Sequence, residues 1–395
     1  MVINCNRNKS EVIAFSTAEN DSSLVPKTFK IGNKEIHRVS KTKVLGLVMD
    51  EDLTYMDHSR EVNKKLITKW AIICQYCNKN WGFTQRVLIQ LVRTLFLSTL
   101  FYVGHIWINE RTMNDINKLW YKIIKTTIGA VFNIRLSLGE TILGLPPLQT
   151  VNSINMIKHY LKLNIRKLEE DRLKDLILSC LSDQNKMPVE LYTALRKVFK
   201  YLKWKAKWYP DAFNAEDAEI VNANKMENFF QLSSDACKYT KGMMKKYTEL
   251  MWTERLKFEL QAEGHTYLPK PKCEPLLLPR QLNRQQEVQI MSLFYPNNLL
   301  NSFLHRFDSR KFPNPLCHCG EREQTNYHIS VECNILDNTK KTELTDRLKS
   351  VLGDNDAVSE NIFALLNSSR DPKVLSLLVE NMEVHHNHLR MDIEI

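Results

Sequence analysis

The densest chemistry in the sequence lies between residues 317 and 333. Cys317, Cys319, His328 and Cys333 follow the spacing C-x-C-x8-H-x4-C. Three thiols and an imidazole within 17 residues suit tetrahedral Zn²⁺, which takes sulfur and nitrogen ligands and imposes no geometry of its own. Gly320 follows the first pair, where a chain closing around a metal must turn sharply. Pro313 and Pro315 stiffen the approach. His318 competes as a ligand but lies between two better ones. Four protein ligands leave no open position, so the expected ion is structural rather than catalytic. The alternative is a Cys-rich loop whose thiols merely pack.

Two other sets of residues carry weaker signals. Cys74 and Cys77 form a C-x-x-C inside an apolar helical pattern with no second pair after it, which reads as core packing. From Arg196 to Tyr209, cations alternate with aromatics. On a helix, Lys197, Lys200, Lys203 and Lys207 share one broad face, and Trp204 and Trp208 stand one turn apart. Phosphate neutralisation beside aromatic surface suits a groove for RNA or an RNA–DNA hybrid, with DNA possible. An amphipathic helix with buried aromatics and solvated lysines explains the pattern equally well. Lys238, Lys241, Lys245 and Lys246 make a second, weaker basic cluster.

Charge favours the polyanion reading. The net charge is +10, and residues 341–395 carry 6 basic and 10 acidic groups, which leaves about +14 on the first 340 residues. The opening residues hold no apolar run of a signal peptide, and Leu88–Ile108 is interrupted by Arg93 and His105. The expectation is an intracellular protein of the nucleus or cytoplasm with no membrane partner, whose thiols stay reduced. The sequence does not fix the oligomeric state.

The elements that must hold these groups are mostly helical. Gly (11) and Pro (13) are scarce in 395 residues, which argues against an all-β or disordered chain. Residues 1–50 read as short strands: Glu11–Phe15, a hairpin over Phe29–His37 turning on Gly32 and Asn33, and a strand over Lys43–Met49. The near-continuous apolar run in the last of these predicts burial on both faces, or close backbone approach at Gly46. Val62, Leu66, Trp70, Ile73 and Cys77 then fall at helical spacing, with Asp57 as the expected cap. Further helices are expected from Thr84 to about Tyr102 and from about Thr112 to Ile128, ending at Gly129. Residues 151–260 are helical by period. Four prolines between 268 and 280 predict an extended linker, and helices are expected near 283–294, 339–352 and 372–386.

Several segments together resemble non-LTR retrotransposon reverse transcriptases of the jockey-like kind. Asn6–Phe15 resembles the segment after the catalytic aspartates, where a lysine (here Lys9) precedes a strand. Lys43–His58 resembles the primer-gripping hairpin and the turn into the thumb. Leu143-Gly-Leu-Pro-Pro-Leu148 resembles a short motif after the thumb helices, and Leu299–Cys333 resembles the terminal Cys/His knuckle. The resemblance covers residues 1–150 and 290–340. It implies a mainly α chain: a palm remnant with a small β-hairpin (1–57), thumb-like helices (58–150), a helical connector (151–267), a Pro-rich linker and short helix (268–296), a zinc knuckle (297–340) and an acidic helical tail (341–395).

It implies nucleic-acid contacts at Lys9, Leu45 and Gly46. It also implies that the paired aspartates holding Mg²⁺ in the intact parent lie upstream of this chain, so no catalytic residue is assigned and no polymerisation is expected from it alone. Tyr55-Met-Asp-His58 looks like a polymerase Tyr-Met-Asp-Asp but has one carboxylate and follows the hairpin rather than preceding it. The alternative function is a host-recruited, zinc-dependent module that binds nucleic acid or protein.

Overall fold

A computed structural model describes residues 10–15, 26–156, 270–352 and 362–385, apart from 32–33, 153, 296–297 and 299, with isolated residues between 245 and 257. The described chain is mainly helical, with two small antiparallel hairpins near its N-terminus.

The first hairpin pairs β1 (Thr28–Ile31) with β2 (Lys34–His37), in register Thr28 to His37. The expected strand at Glu11–Phe15 is reduced to one parallel bridge between Val12 and Arg38. The second hairpin corrects the sequence reading of one strand over 43–49. The run folds back on itself as β3 (Lys41–Val44) and β4 (Leu47–Asp50), with Val44 opposite Leu47. Leu45 and Gly46 form the turn, both at positive φ (46° and 89°). That is the two-residue turn whose twist matches a hairpin, and glycine takes its second position without strain. Burial on both faces is not found: Leu45 is 88% exposed. Nor is a close approach at Gly46 found: a Cβ there would lie 3.4 Å from the Tyr102 ring, an ordinary contact, and the left-handed φ is what calls for glycine. The Tyr102 hydroxyl donates to the Leu45 carbonyl at 2.7 Å.

Helix α1 (Met56–Cys74) buries Val62, Leu66, Trp70 and Ile73, one face at helical period. Its start differs from expectation. Asp57 does not cap it; its carboxylate pairs with Arg60 at 2.9 Å and Lys41 at 3.4 Å on the surface. Asp50 accepts the Thr54 and Tyr55 N–H groups instead, at 2.7 and 2.8 Å. The turn into the helix passes through two left-handed residues, Leu53 and Tyr55, so the carboxylate at the end of β4 faces those donors. His58 is buried, accepts the Val48 N–H at Nδ1 (3.2 Å) and meets the Trp107 ring edge-on at 5.0 Å. It fastens β4 to α1.

Helix α2 (Gln85–Leu91) continues through a π-helical stretch, Val92–Leu97, into a last turn at Ser98–Leu100. Helix α3 (Glu110–Ile128) opens on an Asn109–Thr112 capping box and closes at Gly129 in the left-handed conformation. Helix α4 (Leu136–Leu143) is buried all round. The Pro-rich residues 270–280 are extended and lie against α4: Leu276 N–H bonds the Ile142 carbonyl at 2.9 Å, and Leu276 and Leu278 are buried.

Helix α5 (Arg284–Ser292) carries its own Asn283–Gln286 capping box. It also stitches two earlier helix ends together. Arg284 donates to the Thr126 and Thr127 carbonyls at the end of α3 (2.9 and 3.0 Å), and Glu287 accepts the Gln85 N–H at the start of α2 (2.6 Å). Helix α6 (Asn301–Phe307) leads to the Cys/His segment. Helices α7 (Asn338–Leu352), α8 (Ile362–Ser368) and α9 (Pro372–His385) follow it. One hydrophobic core runs from Leu47 to Met382 and takes in Trp107, Trp120, Trp252, Phe294, Ile329 and Leu378. Among the described residues no helix is long and apolar enough to cross a membrane.

Candidate metal centre

The two halves of the Cys/His segment are shaped by different local devices. In the first, Leu316 bridges Glu323, Cys317 N–H bonds the Arg322 carbonyl (2.8 Å), and Gly320 N–H bonds the Cys317 carbonyl (2.9 Å). Gly320 sits at φ 81°, and a Cβ there would meet nothing within 4 Å. Backbone conformation rather than space therefore demands glycine at this position. In the second half, residues His328–Glu332 form a π turn in which Cys333 N–H bonds the His328 carbonyl at 2.8 Å. A turn closed between residues five apart brings His328 and Cys333 to the same side, where an α-helix would stagger them.

These two devices bring the four ligand atoms within 4.8 Å of one another. Cys317 Sγ lies 3.9 Å from Cys333 Sγ, and Cys319 Sγ lies 3.3 Å from His328 Nε2. Tetrahedral zinc would separate two sulfurs by about 3.8 Å and a sulfur from a nitrogen by about 3.6 Å. The residues present therefore fit the ion in type, number and spacing. Cys317, His328 and Cys333 are buried, and Cys319 is partly exposed.

Electrostatics differ across the set. Burial pushes the Cys333 thiol up to about 12 and raises that of Cys317. At Cys319 burial is outweighed by the Glu321 and Arg322 N–H groups, and the thiol is lowered. Burial lowers His328, so its imidazole is neutral and able to ligate. Its Nδ1 faces the Glu332 carboxylate at 3.9 Å, and that carboxylate is held by Arg322 at 3.0 Å. That separation is too long for a hydrogen bond, so Nδ1 has none and Glu332 acts on the ring only as a nearby charge.

Polar side chains fix the centre to its surroundings. Asn326 donates to the Ser292 and Leu293 carbonyls at the end of α5, at 3.1 and 2.8 Å. Asn381 of α9 donates to the Ser330 carbonyl at 2.7 Å. Glu332 and Asn381 were not singled out from the sequence. The i+4 spacing from His328 could have pointed to Glu332; nothing local points to Asn381.

The other sequence-derived sites fare differently. Leu45 and Gly46 form the exposed tip of the β3–β4 hairpin, with Lys43 two residues before the turn and Lys41 at its open end. Lys43 is paired with Glu61 at 2.9 Å. Lys9, Lys197, Lys200, Lys203, Trp204 and Lys207 lie outside the described residues, as do Lys238, Lys241 and Lys246. Lys245 is described, and its charge is matched by Glu274 at 2.7 Å. Cys74 and Cys77 belong to no converging ligand set among the described residues. Burial raises both thiols, Cys74 to about 11, in keeping with core packing.

The fold and the site together define a mainly helical protein with a Cys₃His candidate metal centre. Compared with known protein families, curated proteins and solved structures, the chain matches none.

Proposed function

We propose that this chain is the C-terminal part of a non-LTR retrotransposon reverse transcriptase. In this reading it is a nucleic-acid-binding body whose distal lobe is held by a structural zinc ion. The observation that carries the reading is the convergence of Cys317, Cys319, His328 and Cys333 within 4.8 Å, on the spacing of the jockey-like knuckle. The hairpin at 41–50 supports it, because a two-residue turn presents Leu45 and Gly46 outward where the resembling family has its primer grip. Bound zinc would supply a cross-link between two chain segments and lower the cost of placing three thiols together.

No catalytic carboxylate pair is assigned to the chain's residues, so the reading includes no polymerisation step. The partner is RNA or an RNA–DNA hybrid, held chiefly through phosphates by the excess of about +14 on residues 1–340. The test is fluorescence anisotropy with a single-stranded RNA, an RNA–DNA hybrid and a DNA duplex. Affinity is expected to fall by about 10³-fold or more between 50 and 200 mM salt. It is also expected to weaken when Lys197, Lys200 and Lys203 are changed to glutamate. Binding indifferent to salt, or absent for all three probes, rules the reading out.

A further inference from the structure

The zinc centre has a neighbour. His385 is the last residue of α9 and is fully buried. Its ring meets that of His318 nearly edge-on, with centroids 5.0 Å apart. His318 Nδ1 in turn lies 3.8 Å from Cys317 Sγ. One ligand atom from each of Cys317, His318 and His385 falls within a 4.8 Å group. We propose that these three residues form a second transition-metal site, which shares the Cys317 sulfur with the zinc centre; the proposal rests on the zinc reading above.

The chemistry is consistent at each atom. A thiolate has lone pairs enough to bridge two metal ions, whereas an imidazole nitrogen has one. The shared ligand must therefore be a cysteine, and Cys317 is the residue common to both sets. Three thiolates facing two divalent ions leave a charge of +1, with all imidazoles neutral. Two nitrogens and a sulfur suit zinc or cobalt(II) rather than magnesium or calcium. The second ion would have three protein ligands against four for the first, and its remaining position would take water or a small anion. His318 is exposed while Cys317 and His385 are buried, so solvent reaches the site from the His318 side. His385 reaches this ion from 52 or more residues beyond the knuckle, so the ion would also tie α9 to it.

The test is titration of the metal-free full-length chain with Co²⁺, read by its thiolate charge-transfer and ligand-field absorption, and repeated with Zn²⁺ by calorimetry. The expected result is two equivalents per chain, the second weaker. That second equivalent is lost in His318→Ala and in His385→Ala, while the first is retained. His318 is exposed, so its variant keeps the test valid if His385→Ala fails to fold. A single equivalent in the unmodified chain overturns the second site and leaves the zinc knuckle standing. Two equivalents that survive both histidine substitutions overturn it too, as adventitious binding elsewhere. No equivalents at all, with Cys319→Ser indistinguishable from the unmodified chain, overturns the zinc reading itself.

Discussion

Arg284→Met is expected to destabilise the protein by about 4–5 kcal/mol, the loss following from four partners of one guanidinium. It donates to the Thr126 and Thr127 carbonyls at 2.9 and 3.0 Å and to the Asn78 carbonyl at 3.3 Å. It also faces the Glu287 carboxylate at 3.6 Å, with side-chain exposures of 2% and 5%. Charged hydrogen bonds contribute about 1.5–3 kcal/mol each, and a buried carboxylate left without its cation costs about 3–5 kcal/mol, terms that overlap rather than add. Burial already raises the Glu287 pKa against the pull of the Gln85 N–H and of Arg284. Without Arg284 it rises further. A carboxyl whose folded pKa exceeds its unfolded value loses stability as pH climbs between the two. The variant's deficit is therefore smaller near pH 5 than at pH 7. Adding Glu287→Gln removes the orphaned charge and keeps an amide oxygen for the Gln85 N–H, so the double variant recovers part of the loss. Urea denaturation of the four proteins reads this directly. A cost below about 1 kcal/mol for Arg284→Met, or a double variant no more stable than the single, refutes the reasoning.

Three further outcomes are expected. Zinc affinity, measured by chelator competition, rises by at least about 100-fold per pH unit between pH 6.5 and 8.5, because the raised thiols of Cys317 and Cys333 must each release a proton on binding and Cys319 adds to the slope wherever it is still protonated; a slope of ten-fold or less contradicts it. Asp50→Ala costs about 1 kcal/mol in chemical denaturation through loss of the Thr54 and Tyr55 caps. Asp57→Ala leaves the melting temperature unchanged, and the reverse ranking would restore Asp57 as the cap. Gly129→Ala costs more than about 1 kcal/mol, since the residue sits at φ 83° and a Cβ would lie 2.3 Å from Val288 Cγ2; a neutral effect on the denaturation midpoint contradicts it.

What could be read from the sequence was what depends on near neighbours. The candidate ligand set was legible because all four residues fall within one short segment whose local turns bring them together. Helix α3 was legible to within two residues because Gly129 stops it, although its Asn109 cap was not read. The β3–β4 turn was hidden inside an apolar run, since a leucine at positive φ gives no turn signal. Asp57 looked like a cap by position, but the chain enters α1 through left-handed residues that aim those donors at Asp50. Helix α8 was missed. Arg284 and Glu287 gave no signal beyond their place in an expected helix, because partners such as Gln85 and Asn78 lie some 200 residues earlier. His385 gave no sign of meeting Cys317 for the same reason: sequence patterns carry period and punctuation, not distant pairing.

The stitching of α2 and α3 by α5 also sets a timetable for biosynthesis. The ribosome finishes α4 at Leu143, but the residues that close the ends of α2 and α3 begin at Arg284, about 140 codons later. At roughly 5–20 residues per second, the early helices wait roughly 7–28 s with an apolar flank uncovered. Chains ended between the two points are therefore expected to be less soluble than the full chain, which sedimentation of the truncated products would check.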